Sequence, residues 1–354
     1  MRRTRPSSPE KNHDSAKYLS TAGSEALLDE SSLESEWWDK TAPLYTDRFT
    51  SLRNPFLQAF YYEEEAALRK VLESATNSKK EPPVYIEIGS GTGRTFQALL
   101  QKQTHDHTPS ASALVGIDFS QEMMKQCAKN LATVTDPNTP SWEIPWTLVQ
   151  GDARRLDETI DQKDRSLRPG LNRLGDHNKA DEMLRSRTWV IGLISVLTNL
   201  SSKDCRDVLE SVARTALPTD LVFASAYAAE HFPRVAYELY TNPEVRKISG
   251  STVVVYDTTN RVYASIDEQT GRTFKSRWLS RPEVLQLFRT ARLSSIRTVT
   301  LDKKPASVQQ LENALPDSSD SPNRESKSIL TRALFPRGVF ILAKGRARSL
   351  HEKK

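Results

Sequence analysis

Cysteine is scarce in this chain of 354 residues. There are two, Cys127 and Cys205, each in a helix-like segment and neither with metal-ligand spacing. That usage reads as a reduced, intracellular protein, cytoplasmic by default, with nuclear or mitochondrial placement left open. Long apolar runs are also lacking. The longest, TWVIGLISVLTNL from Thr188, has 13 residues broken by polar side chains, too short to span a bilayer. The first residues, MRRTRP, carry arginine without an apolar stretch behind it, and Glu10 and Asp14 interrupt any transit-peptide pattern. Charge of one sign is nearly balanced: 50 basic against 45 acidic residues, net +5, with much of the excess in the two ends. Interleaved charges of this kind leave no nucleic-acid footprint, and no RNA-binding motif or internal repeat is visible. His105 and His107 stand two apart with no cysteine partner and no third histidine, so no metal is expected.

What is present concentrates in the middle. Residues 1–32 are polar and read as a disordered tail, and 347–354 as a basic C-terminal tail. Between them, 33–346 reads as one domain. It carries a charged insertion at 154–187, an antiparallel insertion at 245–280 and a polar loop at 304–328. The remaining core of roughly 250 residues suffices for one α/β domain.

Periodicity then places the elements. Phe56, Phe60, Ala67, Leu68, Val71 and Leu72 recur at helical spacing and predict an amphipathic helix before the first strand. Strands are predicted at 84–88, 113–117, 146–149, 188–195, 221–226, 295–301 and 338–343, with helices between the early ones. The last two strands have no clear helix between them and can pair antiparallel. Three short strands over 251–278 form the antiparallel insertion. The expectation is a doubly wound, mostly parallel seven-stranded α/β sheet with an N-terminal helical lid.

The most informative stretch is VYIEIGSGTGRTFQALL, from Val84 to Leu100. An apolar strand ends in an acid and three glycines spaced two apart, Gly89, Gly91 and Gly93, and a helix follows. Glycines let the backbone approach a ligand without a Cβ clash. A strand–turn–helix unit of this kind holds nucleotide-like ligands. Asp118 ends the second strand, 25 residues beyond Gly93, where a carboxylate can accept from two ribose hydroxyls. A hydride-transfer fingerprint is G-x-G-x-x-G; here the third glycine comes one residue early and Arg94 fills the sixth position. Glu87, two residues before Gly89, is expected to face the ligand. A carboxylate there suits a cationic ligand better than a pyrophosphate.

These residues resemble the class I S-adenosylmethionine-dependent methyltransferases. EIGSGTG resembles that family's first motif, VGIDFSQEMM the second, QGDA the third and VIGLISVLTNLS the fourth. WDKTAPLY resembles the aromatic lid of small-molecule members, as does GRTFKSRWLSRPEV with its antiparallel insertion. The match runs from about Trp37 to Lys344. The resemblance implies S-adenosyl-L-methionine as cofactor, held by Glu87, Gly89, Ser90, Gly91, Gly93, Asp118, Phe119, Met123, Gly151, Asp152, Ala153 and Ser195. In it Asp118 takes the ribose, Phe119 lies against the adenine and Asp152 contacts the adenine amino group.

The implied reaction is methyl transfer by SN2 displacement to an O, N or S atom of a small-molecule acceptor. Trp38, Tyr45, Asn199, Tyr237 and Tyr240 are candidate acceptor contacts. His231 and Tyr227 are candidate bases, needed only if the nucleophile must lose a proton. Each has a plainer reading: His231 as a helix-start cap, Tyr237 and Tyr240 as core, Trp38 and Tyr45 as packing, Asn199 as the cap of the next helix. Alternatives stay open at this point: an RNA or protein methyltransferase, or a non-catalytic cofactor-binding module. The strand-four run Ser195-Val-Leu-Thr-Asn lacks the N/D-P-P-aromatic pattern of enzymes that methylate nucleic-acid bases. An NAD-dependent oxidoreductase is disfavoured by the glycine spacing. Oligomeric state is not written in the sequence.

Overall fold

The computed structural model describes residues 38–40, 42–43, 55–101, 110–134, 144–168, 173–232, 253–257, 261–266, 273–314 and 335–346. A long helix, α1 (Pro55–Lys79), precedes the sheet. Then come β1 (Val84–Ile88), α2 (Arg94–Gln101), β2 (Ala113–Asp118), α3 (Gln121–Ala132) and β3 (Trp146–Gln150). After a one-turn helix α4 (Leu156–Thr159), a two-residue hairpin pairs β4 (Ile160–Asp161) with β5 (Ser166–Leu167). β6 (Arg173–Gly175), α5 (His177–Ser186), β7 (Trp189–Leu193), α6 (Ser202–Thr215) and β8 (Leu221–Tyr227) follow.

β9 (Val253–Asp257), β10 (Val262–Ile266) and β11 (Thr273–Arg277) make a separate antiparallel sheet, as expected from their turn signals. α7 (Arg281–Thr290), β12 (Ser294–Thr298), α8 (Ala306–Ala314) and β13 (Gly338–Lys344) complete the order.

The main sheet runs β12-β13-β8-β7-β1-β2-β3-β6. β3, β2, β1, β7 and β8 are parallel neighbours, while β13 lies antiparallel between β8 and β12. The seven expected strands are therefore all present, with the last two paired antiparallel. The eighth, β6, adds antiparallel to the outer edge of β3. Its three residues carry no periodic signal, and it lies inside the segment read as a charged insertion. That segment also supplies α5, the crossover helix that packs on β2 and β3. The stretch read as a polar loop at 304–328 holds a helix at Ala306–Ala314, packed against α1.

Both faces of the sheet are covered, so its central strands are buried throughout. One apolar cluster joins Val84, Ile86 and Ile88 to α5, α6 and α7. The other joins Tyr85 and Phe96 to α1, α2 and α3. The sides alternate along β1 because a strand has period two. Glu87 therefore shares the face of Tyr85, beneath α1 and α2. Strand order reverses between β1 and β7, which opens a crevice at the carboxyl edge.

Among the described residues no helix is long and apolar enough to cross a membrane.

Candidate functional site

Four strand ends meet at this crevice. Gly89 and Gly91 follow β1, Asp118 and Phe119 end β2, Gly151 and Asp152 follow β3, and Ile194 and Ser195 follow β7. They line one cavity together with Trp38, Met123, Ala153, Arg154, Val196, Asn199 and Val208. Eleven of the residues singled out in the sequence are on its wall: Trp38, Gly89, Gly91, Asp118, Phe119, Met123, Gly151, Asp152, Ala153, Ser195 and Asn199.

The glycine turn needs its glycines. Gly89, Gly91 and Gly93 have φ of 69°, 53° and 81°, the left-handed region that side chains with a Cβ avoid. A Cβ on Gly89 would stand 2.8 Å from Val196 Cγ2, and one on Gly93 would collide with Cys127 Sγ. At Gly91 a Cβ would meet nothing within 4 Å, so that backbone faces open cavity.

Asp118 organises the next layer. Its Oδ2 accepts from Gly91 N at 2.8 Å and its Oδ1 from Ser120 N at 2.9 Å. The carboxylate thus fixes the glycine turn to the end of β2. Burial pushes its pKa up to about 6 against those hydrogen bonds, and Asp39 adds like-charge repulsion. Phe119 is held through its carbonyl, which accepts from Gln150 Nε2 at 3.1 Å.

Asp39 is a participant that the sequence reading passed over. Its Oδ1 accepts from Ser120 Oγ at 2.6 Å and from Glu122 N at 3.2 Å. It therefore caps the first turn of α3 from outside the helix and anchors the neighbouring Trp38 at the cavity. A carboxylate at a helix N-terminus is favoured by hydrogen bonding and by the helix dipole. The available signal was an acid beside an aromatic in the lid segment; its partner lies 81 positions away.

Asp152 meets the cavity from the other side. Arg154 donates to it from Nε, at 3.0 Å to each oxygen, and from Nη2 at 2.8 Å. Burial works against its charge, but these bonds and the nearby Arg155 hold its pKa below the usual carboxylate range. Arg154 was not singled out in the sequence either, although an arginine two positions past a strand-end acid is a local signal.

Glu87, Ser90 and Gly93 lie outside the cavity wall. Glu87 is buried among Tyr85, Thr95 and Arg94, and burial pushes its pKa up to about 8, partly offset by Arg94. Behind the wall, Glu64 of α1 accepts from Ser195 Oγ at 2.9 Å, and also from Ser225 Oγ and Arg94. Ser195, at φ 57°, is held in place by that bond and by its own N–H to Ser225 Oγ at 2.9 Å. Glu64 thereby ties the first residue of α2 to the tip of β7. Of the three consecutive acids Glu63 to Glu65, Glu63 and Glu64 are buried.

The two candidate bases are also off the wall. The Tyr227 ring sits 4.6 Å from that of Phe60 and 5.3 Å from that of Trp278. His231 has Nε2 at 2.9 Å from the Pro336 carbonyl oxygen. Tyr45, Tyr237 and Tyr240 lie outside the described residues, as do His105 and His107.

Asp39→Ala is expected to weaken ligand binding at the cavity about fivefold, the scale of one lost cap. It also removes the like charge beside Asp118, so the acid limb of the binding profile moves to lower pH. Calorimetric titration at several pH values checks both; an unchanged affinity and an unmoved limb would refute the anchor.

No protein-family model matches the chain, and no curated protein matches it. Among solved structures, the chain is similar to a SAM-dependent methyltransferase from Methanosarcina mazei. Identity is 13% and the TM-score 0.42, over 75% of this chain and 93% of that one. It is similar to the DhpI–SAH complex at 13% identity and TM-score 0.45, over 89% and 96%. It is also similar to an S-adenosylmethionine-dependent methyltransferase from Clostridium acetobutylicum, at 10% identity and TM-score 0.43, over 88% and 99%.

Proposed function

We propose that the chain is an S-adenosylmethionine-dependent methyltransferase acting on an O, N or S atom of a small-molecule acceptor in the cytoplasm. The observation that carries this reading is the convergence of Asp118 and Asp152 on one cavity beside a left-handed glycine turn.

The residues present fit an adenosyl ligand. Asp118 uses part of its acceptor capacity on Gly91 and Ser120, and a carboxylate has about four lone-pair sites. The rest is available to ribose hydroxyls. Asp152 and Phe119 flank the place for the base, and Gly89, Gly91, Gly151, Ala153, Met123 and Ser195 form close walls. A dinucleotide fits less well. The cation among the described lining residues, Arg154, already serves Asp152 and Asp204, so it is not free to pair with a pyrophosphate.

When bound, S-adenosylmethionine supplies a sulfonium methyl that passes to the acceptor by in-line displacement. The protein's part is alignment and exclusion of water. Asp118 and the glycine turn fix the ribose end. Ser195, pinned by Glu64 and Ser225, sets the wall at the tip of β7. Glu87, with Ser90 and Gly93, supports the turn from behind. Trp38 and Asn199, with Tyr45, Tyr237 and Tyr240, are the proposed acceptor contacts, and His231 or Tyr227 takes up a proton where the acceptor must lose one.

Calorimetry should show micromolar binding of S-adenosylmethionine and S-adenosylhomocysteine and none of NAD. A labelled-methyl assay against fractionated extract, read by mass spectrometry, should then yield a labelled small molecule. No binding of either sulfur ligand defeats the proposal. Binding without transfer to any fraction defeats its catalytic part.

A further inference from the structure

The small antiparallel sheet holds a cation that no acid answers. β11 packs on the 3-10 turn Leu197–Asn199, whose last residue lines the cavity. Successive strand residues face opposite sides. Trp278, just past β11, turns into the rings of Phe56, Tyr227 and Phe232. Arg277 turns the other way, toward the start of α6, where its Nη1 donates to Ser202 Oγ at 2.6 Å. Ser202 is exposed and Arg277 half-buried, so the guanidinium is reachable from solvent.

Among the described residues no carboxylate pairs with Arg277, and its Nε is buried with no hydrogen-bond partner. The neighbouring acids are committed elsewhere. Glu283 Oε1 accepts from Arg261 Nη2 at 2.5 Å, and its Oε2 from Ser280 N and Oγ at 2.7 and 2.6 Å. Asp204 accepts from Arg154 and Ser201. Cys205 lies beside the guanidinium, but burial pushes its thiol up to about 11, so it brings no charge near neutrality. A half-buried cation costs free energy until an anion answers it. Its seat at the N-terminal end of α6 adds to that cost, because that pole of the helix dipole is itself positive. The planar fork of arginine matches the paired oxygens of a carboxylate or a phosphate.

Resting on the methyl-donor reading, we propose that Arg277 binds an anionic group of the acceptor, a carboxylate or a phosphate, beside the Asn199–Leu200 wall of the cavity. The acceptor is thereby a small acid, and the antiparallel insertion supplies its specificity. This selection is separate from the donor contacts, since Arg277 is not on the cavity wall.

The test uses the full chain. The first probe is inorganic phosphate, compared with chloride at matched ionic strength in thermal melts. Phosphate also stabilises proteins by exclusion from their surface, so the readout is saturation. The rise in melting temperature should saturate at millimolar phosphate in the wild type and in Arg289→Met, and should not saturate in Arg277→Met. The second arm is labelled-methyl transfer with extract fractionated on an anion exchanger at neutral pH. The labelled product should be retained on the exchanger. Arg277→Met should raise the apparent KM for that fraction about thirtyfold, the scale of one charge-assisted contact. Its affinity for S-adenosylhomocysteine should stay within about twofold of wild type. Arg277→Lys should fall between, keeping the charge and losing the fork. Loss of acceptor activity after phosphatase treatment identifies a phosphate; survival of that treatment, with loss on amidation of carboxyl groups, identifies a carboxylate.

A labelled product that is neutral or cationic overturns the proposal, and so does an unchanged apparent KM in Arg277→Met. Phosphate saturation that survives Arg277→Met does the same. Where Arg277→Met fails to fold, Arg277→Lys and the charge of the wild-type product decide. A wild type that binds no S-adenosylhomocysteine refutes the methyl-donor reading, and the assignment of the anion to an acceptor falls with it, whatever phosphate does at Arg277.

Discussion

Asp118→Ala should raise the dissociation constant for S-adenosylhomocysteine about a hundredfold or more. On the proposed function, two charge-assisted hydrogen bonds from ribose hydroxyls to Asp118 contribute about 1.5–3 kcal/mol each. The substitution also frees Gly91 N and Ser120 N, so the glycine turn loses its brace to β2. Acid should mimic the substitution. The Asp118 pKa is raised to about 6, so the carboxylate that accepts the hydroxyls is lost as pH falls through about 6, and affinity falls with it.

Stability responds with the opposite sign. A carboxyl group with a raised folded pKa contributes stability fully below its unfolded value and loses it as pH rises through the folded one. Binding and melting temperature measured from about pH 8 to about pH 5 should therefore diverge at this group. An Asp118→Ala protein that binds within about threefold of wild type would remove Asp118 from the ligand.

The largest effect on stability is expected at Arg337→Met, about 3–5 kcal/mol. Arg337 and Glu63 are both fully buried, with relative exposures of 0% and 0%. Arg337 N donates to Glu63 Oε2 at 2.6 Å and its Nη1 to Oε1. Removing the cation strands a carboxylate in the interior. Burial pushes the Glu63 pKa up to about 7, with Arg337 working against that rise. Without Arg337 the folded pKa climbs further.

Glu63 can shed its charge by binding a proton, so the loss should be smaller in acid and grow as pH rises through about 7. Glu63→Gln on the same background should recover much of it at alkaline pH. Urea unfolding on either side of neutrality measures the effect. A loss under about 1 kcal/mol, or one independent of pH, would contradict the assignment.

Much of this molecule was legible because its signals are local. The alternation around β1, the glycines at positive φ and the acids at strand ends each need only a few neighbouring residues. That is why Asp118, Asp152 and the turn could be placed together in advance. The missed features depend on distant partners or on too few residues. β6 has three residues and no period. α5 lies in a run whose charges mask an apolar side made of Ala180 and Leu184. Asp39 is explained only by Ser120, and Glu64 only by Arg94, Ser195 and Ser225, up to 161 positions away. Glu87 was expected to face the ligand; the strand pleat turns it with Tyr85 toward α1 and α2 instead.

The placement of β13 bears on how the chain is made. This strand sits between β8 and β12, and Arg337 just before it closes on Glu63, 274 residues upstream. During synthesis α1 and the parallel strands emerge long before their last neighbour does. Until residues 337–344 leave the ribosome, Glu63 lacks the Arg337 counter-ion and one edge of β8 stands bare. An open strand edge with exposed apolar surface pairs readily with other chains. The nascent polypeptide thus passes through an adhesive interval that ends when β13 closes the edge of β8.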